Sequence, residues 1–194
     1  MNKRIVGIIV GIAVLVFVSL ACGESTPKVE ERKEGGEAAP TSTKVEPTSA
    51  PLGSSRSNPA PFGTQVTIDE MTFAIDEVIR PADEVVAAGN PFNREPEEGN
   101  EYLQVTITVT CNEEADDTCS VGPALNLTVI GSIGVAHDPE WMVSGVEGQL
   151  EQAEFYGGAS VSGSMFFEVE KDETGLVLRY EEFFGTDKAF LALQ

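Results

Sequence analysis

Residues 102–110 alternate without a break: Leu103, Val105, Ile107 and Val109 are apolar, and Gln104, Thr106, Thr108 and Thr110 between them are polar. Side chains of a strand point alternately to opposite faces, so a period of two built on β-branched residues specifies a half-buried β-strand and not a helix. The same signal recurs at 124–130 with Leu125, Leu127 and Val129 inward, and at 161–170 with Val161, Met165, Phe167 and Val169 inward. It recurs again at 175–181 with Leu176, Leu178 and Tyr180 inward, and 64–69, 71–79 and 189–193 complete the set. Pro81, Gly89-Asn90-Pro91, Pro96, Gly122-Pro123, Asp138-Pro139, Gly157-Gly158 and Gly185 punctuate these runs. Short strands at this spacing predict an all-β, antiparallel β-sandwich of seven to eight strands over residues 63–194. Only 80–88 leaves room for a turn or two of helix, and no internal repeat is visible.

The N-terminus has a different logic. Lys3 and Arg4 precede an uncharged run, 5–21, that ends in small residues at Cys22, the pattern of a secretion signal over 1–21. The surrounding Val18-Ser19-Leu20-Ala21-Cys22 resembles the lipobox of bacterial lipoproteins, although Ser19 and Leu20 invert its commonest order. That resemblance implies lipidation of Cys22 and a lipid anchor in the cell membrane or outer membrane. Gly23 after the cysteine is compatible with outer-membrane sorting. The alternative is an uncleaved transmembrane helix, for which a 17-residue run is at the lower limit of about 30 Å of hydrocarbon. Both place the rest of the chain outside the cytoplasm. Residues 22–62 are rich in Glu, Lys, Pro, Ser, Thr and Gly and poor in bulky apolar side chains, which predicts a disordered tether. A flexible chain of that length has a root-mean-square reach of roughly 35 Å.

The net charge of −20 is carried by the folding part, where residues 64–194 hold 26 acidic and five basic side chains. Such a field argues against nucleic acid as a partner and repels anionic headgroups. Membrane contact is therefore expected through the lipid, and the remaining partner class is an envelope or extracellular protein or ligand.

Export carries Cys111 and Cys119 into an oxidising compartment, where a disulfide is the expected state and two free thiols the alternative. A ring this small contributes roughly 2–3 kcal/mol in the chain-entropy model. The loop between them carries Glu113, Glu114, Asp116 and Asp117, oxygen ligands of the kind calcium takes, but without the order of an EF-hand. A solvated acidic loop is the competing reading. His137, the single histidine, lacks the companion ligands of a zinc site and has no Gly-x-Ser-x-Gly elbow to serve as a catalytic base. No cofactor motif is present. Trp141, Phe155, Tyr156, Phe183, Phe184 and Phe190 are assigned to the core. Phe166 faces away from Met165 and Phe167, so it packs under the C-terminal strand or forms an exposed contact.

Several segments together carry a wider resemblance: Gly63-Thr64-Gln65-Val66, Met71-Thr72-Phe73, the run from Gly99 through Tyr102 to Val109, and Gly157-Gly158 leading into Ser162-Gly163-Ser164-Met165-Phe166-Phe167-Glu168-Val169. Over residues 63–181 the chain resembles the immunoglobulin-like domain of unknown function found in bacterial lipoproteins, related in fold to the mycobacterial secreted immunoprotective antigen. Gly157 stands where that family usually has proline. The resemblance implies the sandwich fold and transfers no catalytic residues. The function expected is a non-catalytic binding or interaction module at the cell envelope. A calcium-dependent ligand-binding or adhesion domain is the alternative, and a hydrolase built on His137 or paired carboxylates a remote one.

Overall fold

The alternating run becomes the fourth strand of a five-stranded antiparallel sheet. The computed structural model describes residues 27–31, 51–182 and 186–194. In chain order the elements are β1 (Lys28–Glu31), β2 (Thr64–Ile68), β3 (Met71–Ile79), α1 (Asp83–Gly89), β4 (Asn100–Cys111), β5 (Thr118–Val121), a 3-10 turn (Pro123–Leu125) and β6 (Leu127–Ile130). They continue with β7 (Ala136–His137), β8 (Ala153–Tyr156), β9 (Ser160–Glu170), β10 (Val177–Glu181) and β11 (Lys188–Ala192). One sheet has the order β1-β2-β3-β4-β9, a second β11-β10-β6-β7, and β5 pairs separately with β8. The seven strands read from the alternation are all present; the four others, β1, β5, β7 and β8, are two to four residues long, too short to show a period.

The two larger sheets enclose the main core. Phe73, Val105, Ile107, Val109, Met165 and Phe167 face Leu127, Val129, Leu178, Tyr180, Ala189 and Leu191 across it. The Phe73 and Tyr180 rings meet with centroids 4.8 Å apart, tilted by 34°. Every residue anticipated as inward on β6, β9 and β10 belongs to this cluster or packs against it. Arg80 ties the end of β3 to its neighbours. Its Nε donates to Glu101 Oε1 at 2.6 Å and its other nitrogens donate to the carbonyls of Glu173 (2.6 Å), Glu170 (2.7 Å) and Lys171 (3.2 Å).

Two features differ from the expectations of the sequence. The span 22–62 is not a structureless tether wherever it is described. Lys28–Glu31 pairs antiparallel with β2, Val29 opposite Val66 and Lys28 opposite Thr67. Ala60 is fully buried, and its N–H donates to Phe190 while its carbonyl accepts from Ala192, both at 2.8 Å. These segments are held by backbone hydrogen bonds to open sheet edges, which composition does not report. Cys22, the 1–21 signal and 32–50 lie outside the described residues, as do Phe183 and Phe184. The second correction is Phe166, which is covered by α1 and the segment around Val143, not by the C-terminal strand.

The glycines of the recurring motif have steric reasons. The segment at Gly148–Leu150 crosses the edge of β9, with Leu150 N–H on Ser164 O at 2.9 Å and Ser164 N–H on Gly148 O at 2.8 Å. A Cβ at Gly163 would lie 2.5 Å from Leu150 Cα, so no side chain fits there. Gly157 donates its N–H to Asp117 O at 3.0 Å, and a Cβ there would lie 2.2 Å from the carbonyl oxygens of Glu113 and Glu114. Proline has neither the N–H nor the clearance, which accounts for glycine at this point of the chain. Gly157→Ala is expected to lower unfolding stability by about 1–3 kcal/mol through overpacking, and Gly157→Pro by more, read from urea melts of the oxidised domain. Equal midpoints for parent and both variants would contradict this packing.

Candidate functional site

The outer face of the first sheet is covered at one end only. Tyr102 and Phe166 project from β4 and β9 away from the main core, and Ala82, Val86 and Val143 close over them. Helix α1 is positioned by its neighbour strand: Ala82 N–H donates to Tyr102 O, and Tyr102 N–H donates to Asp83 Oδ1, both at 2.7 Å. Asp83 and Glu84 lie in its first turn, where carboxylates complement the helix dipole.

Two loops extend this cover, 90–99 and 139–146, and asparagines bind them together. Asn93 Nδ2 donates to Val86 O (2.8 Å) and Ser144 O (3.0 Å), Ser144 N–H donates to Asn93 Oδ1 (3.0 Å), and Asn90 Nδ2 donates to Ser144 Oγ (2.9 Å). Glu168 anchors the first loop from β9. It takes Arg94, the Glu97 N–H at 2.7 Å and Asn100 Nδ2 at 3.0 Å. Burial pushes the Glu168 pKa up, but these donors outweigh burial and hold it below the usual carboxylate value. The Tyr102 hydroxyl donates to Arg94 O at 3.1 Å, and burial raises its pKa.

Between α1 and the 93–100 segment lies a cleft of about 450 Å³, lined by Glu84, Ala87, Arg94, Glu95, Glu97 and Tyr102 among others. The same two loops hold out large apolar side chains: Phe92 is 93% exposed, Met142 86% and Trp141 39%. Trp141 also borders an open cleft of about 710 Å³ along 145–152. Aromatic and thioether side chains on hydrogen-bonded loops beside a carboxylate-lined cleft suit non-covalent recognition.

The residues singled out from sequence lie elsewhere. Cys111 and Cys119 are joined, with Cα atoms 5.7 Å apart. They do not close a hairpin. β5 pairs with β8, so the bond staples the small sheet to β4. Glu113, Glu114, Asp116 and Asp117 fall in that loop, and among the described residues no three of them bring carboxylates together. The group that does converge is Asp69, Glu182 and Asp187, within 4.8 Å of one another. Burial, followed by the fields of Asp69, Glu182, Glu70 and Asp187, pushes the Tyr180 hydroxyl up to about 12. Trp141 and Tyr156 are exposed in part and do not belong to the core, whereas Phe155 and Phe190 do. The exposed loops were missed because an exposed Phe or Met looks like a core residue until the surrounding backbone is placed.

The sequence model of the domain of unknown function DUF4352 matches residues 60–189. The chain belongs to this family. Other solved folds resemble this DUF4352 domain at low identity. The yjhA protein of Bacillus subtilis shares 12% identity with a TM-score of 0.50 over 69% of this chain and 98% of its own. MPT63, a secreted protein from Mycobacterium tuberculosis, shares 14% with a TM-score of 0.48 over 69% and 94%. The ycdA protein of Bacillus subtilis shares 15% with a TM-score of 0.49 over 66% of this chain, which spans 37% of ycdA's length. No curated protein matches the chain.

His137 sits not with a serine but 2.8 Å, through Nε2, from Oε2 of Glu173, a residue only 2% exposed. Glu173 Oε1 is buried without a hydrogen bond, so His137 is what compensates this carboxylate. His137→Ala is expected to cost on the order of 3 kcal/mol by stranding a buried charge. Adding Glu173→Gln should recover a good part of that loss, because the amide is neutral. A double-mutant cycle by chemical denaturation measures this; simple additivity of the two changes would refute it.

Proposed function

We propose that the protein is a lipid-anchored, extracytoplasmic DUF4352 lipoprotein whose sandwich binds a partner protein or ligand without performing chemistry on it. The observation that carries the binding role is the exposure of Phe92, Trp141 and Met142 on loops fixed by Asn90 and Asn93. Apolar side chains of this size normally leave water, and loops held by five or more hydrogen bonds bind with little ordering cost. The clusters that could suggest catalysis are engaged in structure: Glu168 organises the 94–100 segment, Glu101 pairs with Arg80, and Glu173 pairs with His137. Support for the anchor comes from the basic, apolar and small-residue order that ends at Cys22. No helix among the described residues is long and apolar enough to cross a membrane. Calcium-dependent adhesion gains nothing from the Cys111–Cys119 loop, whose carboxylates do not converge.

For the anchor, Cys22→Ser is expected to abolish incorporation of a fatty-acid probe and to leave the protein unprocessed or released from membranes. Labelling that persists in the variant would remove Cys22 from the proposal. For the binding role, a partner captured from envelope extracts and identified by mass spectrometry should bind the Phe92→Ser/Met142→Ser protein at least about thirtyfold more weakly, since anchors of this kind contribute on the order of 2 kcal/mol. Unchanged affinity, with circular dichroism unchanged, would move the binding surface elsewhere.

A further inference from the structure

The strand at Lys28–Glu31 fixes which end of the domain faces the membrane. β1 runs antiparallel to β2, and its first residue lies opposite Thr67, two residues before the Asp69-Glu70 turn into β3. The chain leading back to Cys22 therefore leaves from the end of the sandwich that holds this turn. The disulfide loop is at the same end: Met71 pairs with Cys111, and Asn112 N–H donates to Glu70 O at 2.7 Å. So is the turn after β10, because Glu182 and Asp187 converge on Asp69. Acidic side chains therefore gather at this end, where burial first, and then neighbouring carboxylates including Glu70, raise the pKa values of Glu113 and Glu182. Helix α1 and Phe92 lie at the opposite end, beyond Ile79 and Asn100, about 25 Å along the strands.

Chain length then sets the distance. Five residues separate Cys22 from Lys28, and a fully extended chain spans at most about 3.3–3.6 Å per step, a ceiling of roughly 20 Å. Were β1 not seated, the next residue tied to the sheets would be Gly53, whose carbonyl accepts the Phe190 N–H, and the chain from Cys22 to that point would allow about 100 Å. Seating β1 thus shortens the leash about fivefold and fixes its exit point. We propose that Lys28–Glu31 is an orienting clamp, which turns the acidic end of the sandwich toward the lipid surface and presents the α1 cleft with Phe92, Trp141 and Met142 outward. This inference rests on the reading of Cys22 as the lipid-bearing residue. The acidic end faces headgroups without touching them, because its charge opposes close approach to anionic lipid.

The test places a fluorescent amino acid at Glu70 or at Glu95, both exposed and at opposite ends, in the mature chain bound to phosphatidylcholine vesicles that carry a headgroup energy acceptor. Transfer from Glu70 is expected to exceed transfer from Glu95 several-fold. Adjacent N–H groups of a strand point to opposite sides, so Val29→Pro/Glu30→Pro must remove one that faces β2. In that variant the difference between the two positions should collapse, while the melting curve confirms that the sandwich is folded. Equal transfer from both positions in the parent chain, or a difference that survives the proline pair, would overturn the clamp. Vesicle flotation reports the anchor separately. A second preparation, with the Cys22 thiol coupled to a maleimide lipid, tests the clamp even if the cell does not lipidate Cys22.

Discussion

The structure depends on β4 being buried on both faces along its first half. Leu103 and Val105 enter the main core while Tyr102 and Gln104, pointing the other way, are also out of water. A strand in that position cannot leave its outward side chains bare, so the chain must supply a second layer over them, and α1 with the 139–146 segment is that layer. Asp83 joins α1 to the sheet by taking the Tyr102 N–H of β4, and Glu168 on β9 takes the Glu97 N–H of the adjoining loop, both charge-assisted hydrogen bonds. From Thr106 onward the outward residues are threonines at the surface, and no cover is needed. The loops that expose Phe92, Trp141 and Met142 are therefore a product of where the second burial stops.

Period-two alternation made the long strands legible because it is strong over five or more residues, and it identified the inward side chains of β4, β9 and β10 correctly. It failed for β1, β5, β7 and β8, which are too short to show a period and are specified by the edges they join. Burial of Val86 under Tyr102 involves one apolar residue in a seven-residue helix, so helical amphipathicity had almost nothing to display. Phe166 was recognised as an outward residue, but what covered it depended on contacts across more than twenty residues of sequence. Tertiary pairing, not local preference, decided each of these.

The candidate site was less legible than the fold. Acidic residues are numerous enough that proximity in sequence says little: among the described residues no three of Glu113, Glu114, Asp116 and Asp117 converge, while Asp69, Glu182 and Asp187 do, from over a hundred residues apart. The one histidine drew notice for its rarity and turned out to accompany a buried glutamate. The cysteine pair was evident from compartment and spacing, but its role in joining β5 to β4 required the pairing of β5 with β8. The result is a sandwich whose one end gathers Asp69, Glu182 and Asp187 and whose other end bears exposed aromatic and thioether groups beside a carboxylate-lined cleft, an arrangement invisible in a net charge.

Sheet edges bring out one more consequence of β1. The free side of β9 is occupied by Pro139 and the Gly148–Leu150 crossing, that of β11 by Gly53 and Ala60, and β7 offers only two residues. Among the described strands of the two large sheets, the open edge is thus β1 itself, whose sequence Lys-Val-Glu-Glu exposes charge along its length. Proteins tethered to a bilayer are confined to two dimensions, where encounters between like copies are frequent and an apolar edge would template ribbons of domains joined strand to strand. Lys28, Glu30 and Glu31 make that polymerisation unfavourable, so neighbouring copies of the proposed lipid-anchored form would remain separate molecules.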